Sequence, residues 1–267
     1  MLFKSVAALA VILPAAFACP DEMQHLRKRD TSAQMPEWTY GASYDWGRLD
    51  HMYADCQTGT QQSPIALSLR NGLSSNHIPS FHNYDRNVTG KFYNWGYGPA
   101  FKLSKDDLTS NPSLSYDNET LYLLGWHIHS PADHLVEGER SKSEMHFVHA
   151  NAEGHEKAVL AFRIDPGNSD AAFFSQLPTM MGFNETGTEY EHEATMDLSL
   201  ALDSVLHFNE FWSYAGSLTS PPCREGIRWF VARQIMFVGV KQMQTILGAS
   251  SYSARVEQQV WQHRINE

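Results

Sequence analysis

A mainly β domain is the fold this sequence predicts, and three observations predict it. Short apolar segments rich in β-branched and aromatic residues recur along the chain, residues 158–164 and 229–238 among them. Gly, Pro, Asn and Ser separate these segments at short intervals, as turns between strands require. Helix-period stripes are few, and residues 169–176 and 238–247 are the better helix candidates.

The first residues read as targeting, not fold. Lys4 precedes an apolar run over residues 6–17, and Ala16-Phe17-Ala18 is an A-x-A cleavage signal, so residues 1–18 are expected to be a signal peptide. The run is too short and wrongly flanked for a membrane span. Residues 19–29 end in Arg27-Lys28-Arg29, a dibasic processing pattern, which leaves residues 30–267 as one catalytic-sized domain without internal repeat or linker. Processing removes Cys19 and leaves Cys56 and Cys223 as an even pair for an oxidising compartment. A bridge between them closes most of the chain into one loop, which contributes roughly 4–5 kcal/mol in the chain-entropy treatment. Sequons at Asn87, Asn118 and Asn184 fit a secreted eukaryotic glycoprotein. Losing four basic and two acidic leader residues takes the net charge from −10 to −12, and no basic stripe with interleaved aromatics occurs, which argues against a nucleic-acid partner.

The strand elements carry the chemistry. Leu121-Tyr-Leu-Leu124 leads into Trp126-His-Ile-His129, and Ser130-Pro-Ala-Asp133 ends that run. On a strand alternate side chains share a face, so His127 and His129 point the same way. Glu137-Gly138-Glu139 is a turn signal before a second strand, Ser143-Glu-Met-His-Phe-Val-His149. Two strands so joined are antiparallel neighbours, which lets His146 face the H-x-H pair. Three imidazoles with an open fourth position make a catalytic rather than a structural zinc geometry. Glu144 shares the face of His146 and can orient its ring through the second nitrogen. With 13 histidines in 267 residues an H-x-H pair also arises by chance, so this pair alone does not decide the matter. No H-E-x-x-H occurs, which disfavours a zinc protease.

A second segment narrows the reading: Tyr214-Ala-Gly-Ser-Leu-Thr-Ser-Pro-Pro-Cys-Arg-Glu225, with Trp229 beyond it. Together with the histidine strands and Gln62-Ser-Pro-Ile65, it resembles the α-class carbonic anhydrases, in the secreted, fungal style, over about residues 38–258. The resemblance implies one domain around a large, twisted, mostly antiparallel sheet with few short peripheral helices. It implies zinc on His127, His129 and His146, held in line by Glu144. Thr219 matches the residue that accepts the proton of zinc-bound hydroxide and aims its lone pair at carbon dioxide. Asp133 matches the carboxylate behind that threonine. Val148, Val159, Leu218 and Trp229, with Thr219, match the pocket where carbon dioxide rests. Tyr40 matches a cavity tyrosine, and Tyr214 a buried one behind the Thr219 loop. Cys56 and Cys223 match the disulfide of secreted members. The implied reaction is reversible hydration of carbon dioxide to bicarbonate, with sulfonamide-type or anionic inhibitors. The nucleophile exists at neutral pH because the metal lowers the pKa of its water to about 7, the reference value for carbonic anhydrases themselves. The competing reading is a non-catalytic carbonic anhydrase-like binding domain, against which all three histidines, Thr219 and Glu144 argue.

Three positions depart from the family pattern. Asp133 stands where Glu is usual, shorter by one carbon–carbon bond or about 1.5 Å, so its contact with Thr219 needs a loop shift or a bridging water. Gly125 stands where a Gln commonly supports the first ligand histidine. Pro99 stands where a proton-shuttle His is usual, which leaves exit through buffer or through another residue such as His77 or His82.

Overall fold

Alternating side chains and frequent turn residues fold residues 38–267, the part that the computed structural model describes, into thirteen strands with short helical links. The expected signal peptide, propeptide and Cys19 lie outside the described residues. In chain order the strands are β1 Ala66–Leu67, β2 Ser80–His82, β3 Val88–Asn94, β4 Pro99–Lys102, β5 Ser113–Tyr116, β6 Glu119–His129 and β7 Leu135–Val136. Then follow β8 Ser143–Ala150, β9 Glu156–Gly167, β10 His192–Met196, β11 Phe211–Ser217, β12 Glu225–Ala232 and β13 Met236–Gly239. Eleven of them form one sheet along the path β10-β3-β4-β6-β8-β9-β12-β11, with β13 also on β9 and the β2–β5 pair attached to β6.

The sheet is mostly antiparallel, as expected, with parallel pairing where β9 meets β12 and β13. The β1–β7 pair outside the sheet is also parallel. Two of the sequence expectations are corrected in detail. The helix expected over residues 169–176 is only Ala172–Ser175. The apolar segment 229–238 is two strands, β12 and β13, and the helix expected from residue 238 runs Val240–Gly248. The Glu137–Gly138 turn is present, with φ of 55° and 82° at its two central residues, the left-handed conformation that such a tight turn requires.

Period-2 alternation divides the core between the two faces of the sheet. One face carries Phe92, Trp126, Ile128, Met145, Phe147, Leu160, Phe162 and Phe230, covered by the helices Ala172–Ser175, Ser199–Ser204 and Val240–Gly248. The other carries Val148, Val159, Ala161, Trp212, Tyr214, Leu218 and Trp229. A third cluster, of Trp38, Tyr40, Trp46, Trp95 and the Cys56–Cys223 pair, adjoins His127 and His129 through ring contacts of Tyr40 and Trp95. The disulfide is formed, spanning a sequence separation of 167.

A bulge sets which face the histidines take. Leu121 and Leu123 of β6 point into the larger core, and strict alternation would send His127 and His129 after them. Instead Leu123 pairs with His149 and Gly125 with Val148, so Leu124 is an extra residue. Beyond it Trp126 and Ile128 take the core positions and the histidines turn to the opposite face. Gly125 has φ +156°, and a Cβ there would lie 2.1 Å from the carbonyl oxygen of Phe101 on β4. A glutamine therefore cannot stand at this position with this strand geometry, which accounts for one of the three departures.

Candidate metal centre

Two rows of cross-strand neighbours build the site. His127 on β6 lies directly opposite His146 on β8, and His129 opposite Glu144. One row further along, Gly125, Val148, Val159, Trp229 and Tyr214 are successive partners across β6, β8, β9, β12 and β11. The expected ligands and most of the expected pocket wall thus share one face because they share one register. Glu144, His129 and His146 are buried and His127 is half-buried.

The donor atoms are selected by what the other ring nitrogens do. His129 Nδ1 donates to the carbonyl of Ser253 at 2.7 Å, leaving Nε2 inward. His146 Nε2 donates to Glu144 Oε1 at 2.7 Å, leaving Nδ1 inward. His127 Nε2 lies 3.1 Å from His129 Nε2, and one donor atom from each of the three rings falls within 4.8 Å of the others. A tetrahedral zinc with bonds of about 2.0–2.1 Å sets its ligand nitrogens about 3.3–3.4 Å apart, so this donor set fits such an ion. Burial pushes His127 well below its ordinary pKa, and the neighbouring His129 and His146 add to this. Burial lowers His129 too, against the opposing pull of Asp133. Both rings are neutral at physiological pH, with lone pairs free for a cation.

Glu144 sits between two imidazoles. Its Oε1 accepts from His134 Nδ1 at 2.6 Å as well as from His146, and its Oε2 accepts from the backbone N–H of His134 at 3.0 Å. Burial alone would raise its pKa, but the charge and hydrogen bonds of His134, with those of His146, hold it well below the usual carboxylate range. Oxygen lone pairs here meet N–H hydrogens, so His134, Glu144 and His146 form a proton-filled network and not a second cation site. The network continues from His134 Nε2 to the Tyr214 hydroxyl at 2.7 Å and on to Ser63 Oγ at 3.0 Å. Ser63 Oγ accepts the backbone N–H of Ser217, two residues before Thr219. The third ligand and the threonine loop are therefore tied to one buried chain of hydrogen bonds.

Thr219 follows β11 in a loop pinned at several points. Trp229 Nε1 donates to the carbonyl of Ser217 at 2.9 Å, and Leu218 N–H to that of Arg224 at 3.0 Å. Cys223 anchors the loop through the disulfide, and Gln62 Nε2 donates to the Cys223 carbonyl at 3.0 Å. Arg255 donates through its guanidinium to the carbonyls of Ser63, Cys56 and Leu218, while its backbone N–H donates to Asp133 Oδ1 at 2.8 Å. Burial lowers its pKa to about 10, opposed by Asp133. Asp133 Oδ2 is buried and takes no hydrogen bond from Thr219 or from any other described residue; it lies 3.6 Å from His129 Nδ1, whose hydrogen is already given to Ser253. The shorter acid thus leaves one oxygen unpaired, as the missing carbon–carbon bond implies.

The remaining expected residues fall as follows. Val148, Val159, Leu218 and Trp229 form one buried cluster, with the Trp229 ring 4.9 Å from that of His146. Tyr40 is buried with its ring edge-on to His129 at 5.8 Å. His77 is taken by Asp117 and the carbonyl of Glu267, and His82 is exposed on β2, which pairs only with β5; neither reaches the three histidines. Asn87, Asn118 and Asn184 are all exposed. Sequence reasoning assigned no part to His134, Ser253, Arg255 or Trp95. The signal for the first was present in Asp133-His134, but nothing local tells that it meets Glu144 and Tyr214.

A family model described as eukaryotic-type carbonic anhydrase matches residues 42–264. A carbonic anhydrase of Pectobacterium carotovorum is 31% identical over 201 residues, covering 73% of this chain and 75% of its own. One from Pectobacterium atrosepticum is 28% identical over 235 residues, 85% of this chain and 84% of its own. Among solved structures, the α-carbonic anhydrase of Thermovibrio ammonificans in complex with the inhibitor sulfanilamide has a TM-score of 0.71 at 24% identity, over 86% of this chain and 98% of that one. At that identity the likeness is one of fold.

Proposed function

The chain belongs to the α-class carbonic anhydrase family, and on that premise we propose that it is a secreted zinc enzyme interconverting carbon dioxide and bicarbonate. The observation that carries the proposal is the donor set: three imidazole nitrogens converge, and the other nitrogens of His129 and His146 are already committed to Ser253 and Glu144. A zinc ion held by His127, His129 and His146 supplies, when bound, a strong nucleophile drawn from water at neutral pH.

The rest is the work of the chain's own residues. Neutral imidazoles leave the metal's charge undiminished, and Glu144 fixes the ring plane and tautomer of His146. Val148, Val159, Leu218 and Trp229 offer an apolar wall to an uncharged substrate, which needs no polar anchor there. Thr219 orients the attacking group as an acceptor, provided its own proton has somewhere to go. Asp133 Oδ2 is the buried oxygen free to receive that proton, through a water that spans the shortfall. With Pro99 in place of an internal shuttle, protons pass to external buffer, and turnover rises with the concentration of imidazole-type bases. Secretion, removal of residues 1–29 and glycans on Asn87, Asn118 and Asn184 belong to the same proposal; the formed disulfide and the exposure of all three asparagines support it.

Stopped-flow hydration of carbon dioxide by the zinc-loaded protein, beside His146→Ala, tests the reading. Hydration well above background and lost in the variant is the expected result. No hydration with zinc bound would leave the chain as a carbonic anhydrase-like binding domain.

A further inference from the structure

The β3–β4 hairpin closes at the Asn94–Pro99 pair and carries a four-residue loop, Trp95-Gly96-Tyr97-Gly98, that folds back over the metal centre. The Trp95 ring lies 5.4 Å from the His127 ring and 5.4 Å from the His129 ring, edge-on to both. Its Nε1 donates to the carbonyl of Ile128, between the two histidines, at 3.2 Å. Nothing about this placement is loose. Asn94 holds the root of the loop through the carbonyls of Met181 and Ala249, at 3.0 and 2.8 Å, and accepts the Gly96 N–H at 2.9 Å. Tyr97 braces Trp95 from behind at 4.9 Å, stacks on Trp38 and donates its hydroxyl to the Trp38 carbonyl.

From this geometry, and resting on the reading of the site as a zinc centre for carbon dioxide, we infer that Trp95 is a specificity-determining residue that sets an upper size limit on metal-directed ligands. Each of the three imidazoles packs against an indole, Trp95 against His127 and His129, and Trp229 against His146. Trp95, Leu218 and Thr219 are buried, at 9%, 6% and 6% exposed, so each has little room to give way to a ligand. A linear triatomic molecule or a small anion passes. An arene carried on the metal-binding group must push Trp95 aside, breaking its buried hydrogen bond and its packing on Tyr97 and Tyr40. The wall is apolar and rigid, so it selects by volume and not by charge.

Calorimetric titration of the zinc-loaded protein with methanesulfonamide and benzenesulfonamide reads this limit, because the two share one anchoring group and differ in the arene. Trp95→Ala is expected to tighten benzenesulfonamide by about tenfold or more relative to methanesulfonamide, the scale on which a pocket's shape discriminates. Trp95→Phe should fall between, and it decides in place of Trp95→Ala if the latter fails to fold or to retain zinc. An unchanged ratio between the two ligands overturns the role of Trp95 while leaving the zinc centre standing. Failure of wild type and both variants to bind either ligand, with zinc bound at one equivalent, removes the zinc-enzyme reading and this inference with it.

Discussion

Gly125→Ala tests whether the bulge aims His127 and His129 at the candidate metal site. The added Cβ would sit 2.1 Å from the Phe101 carbonyl oxygen and 3.0 Å from Lys102 Cα, both backbone atoms of the paired strand β4. A backbone cannot rotate out of the way as a side chain can, so the strands must separate or the bulge must go. Holding alanine at φ +156° costs about 1–3 kcal/mol, and relieving the overlap costs about 1–3 kcal/mol more. For a domain of this size each kcal/mol lowers the thermal midpoint by about 2–4 °C, so a drop on the order of 10 °C is expected. The sharper readout is metal. If the strand escapes by expelling Leu124 from the bulge, alternation restores phase and turns His127 and His129 into the larger core, abolishing zinc uptake. Gly138→Ala is the control: φ is +82°, but nothing lies within 4 Å of its Cβ, so it bears only backbone strain of about 1–2 kcal/mol and keeps zinc. The assay is thermal unfolding with zinc stoichiometry after dialysis. A Gly125→Ala protein within 2 °C or so of wild type, with one tightly held zinc, refutes the reasoning.

Glu144→Gln keeps the volume but removes the charge between His134 and His146, and zinc affinity measured by chelator competition is expected to fall about 10–100-fold. Asp133→Ala removes the buried carboxylate proposed to receive the threonine proton; hydration should drop about 100-fold or more with zinc retained, and full activity would sink its role. His149 reports on acid stability, because burial lowers its pKa to about 3 while the carbonyls of Phe147 and Ala158 pull the other way. Its neutral ring accepts from the Tyr84 hydroxyl and donates to the Phe147 carbonyl. The unfolded chain binds this proton near pH 6.5, so the ring's contribution is intact above that pH and is lost at about 1.4 kcal/mol per pH unit as pH falls toward 3. In urea titrations between pH 6 and 4, His149→Gln should show a stability slope shallower by about that amount, and an unchanged slope would contradict the assignment.

Much of the site was legible in local pattern. His127, His129 and His146 could be placed on one face because strand alternation is a property of neighbouring residues, and the Glu137–Gly138 turn fixed which strands were neighbours. Val148, Val159, Leu218 and Trp229 came from resemblance and the Cys56–Cys223 pair from cysteine arithmetic that the resemblance repeated, and the structure brings each set together. The helix over residues 169–176 was overextended because amphipathic spacing does not reveal where a chain turns to meet a sheet. His77 and His82 could be offered as proton carriers because nothing local tells that one is held by Asp117 and the Glu267 carbonyl and the other sits where β2 pairs with β5.

Sequence alone determined the mainly β class, the histidine triad and Glu144 beside it, since each rests on spacings of two residues or on one short turn. Tertiary structure decided the rest. The strand's phase depends on Leu124 being kept as the extra residue of a bulge where Gly125 meets β4. The inward nitrogen of His129 depends on Ser253, a separation of 124 residues. The Thr219 loop depends on Ser63 and Arg255, and the packing beside His127 and His129 on a hairpin that brings Trp95 back. Each is a contact between segments distant in the chain, and such contacts exist only once packing has brought backbone carbonyls and ring edges within reach.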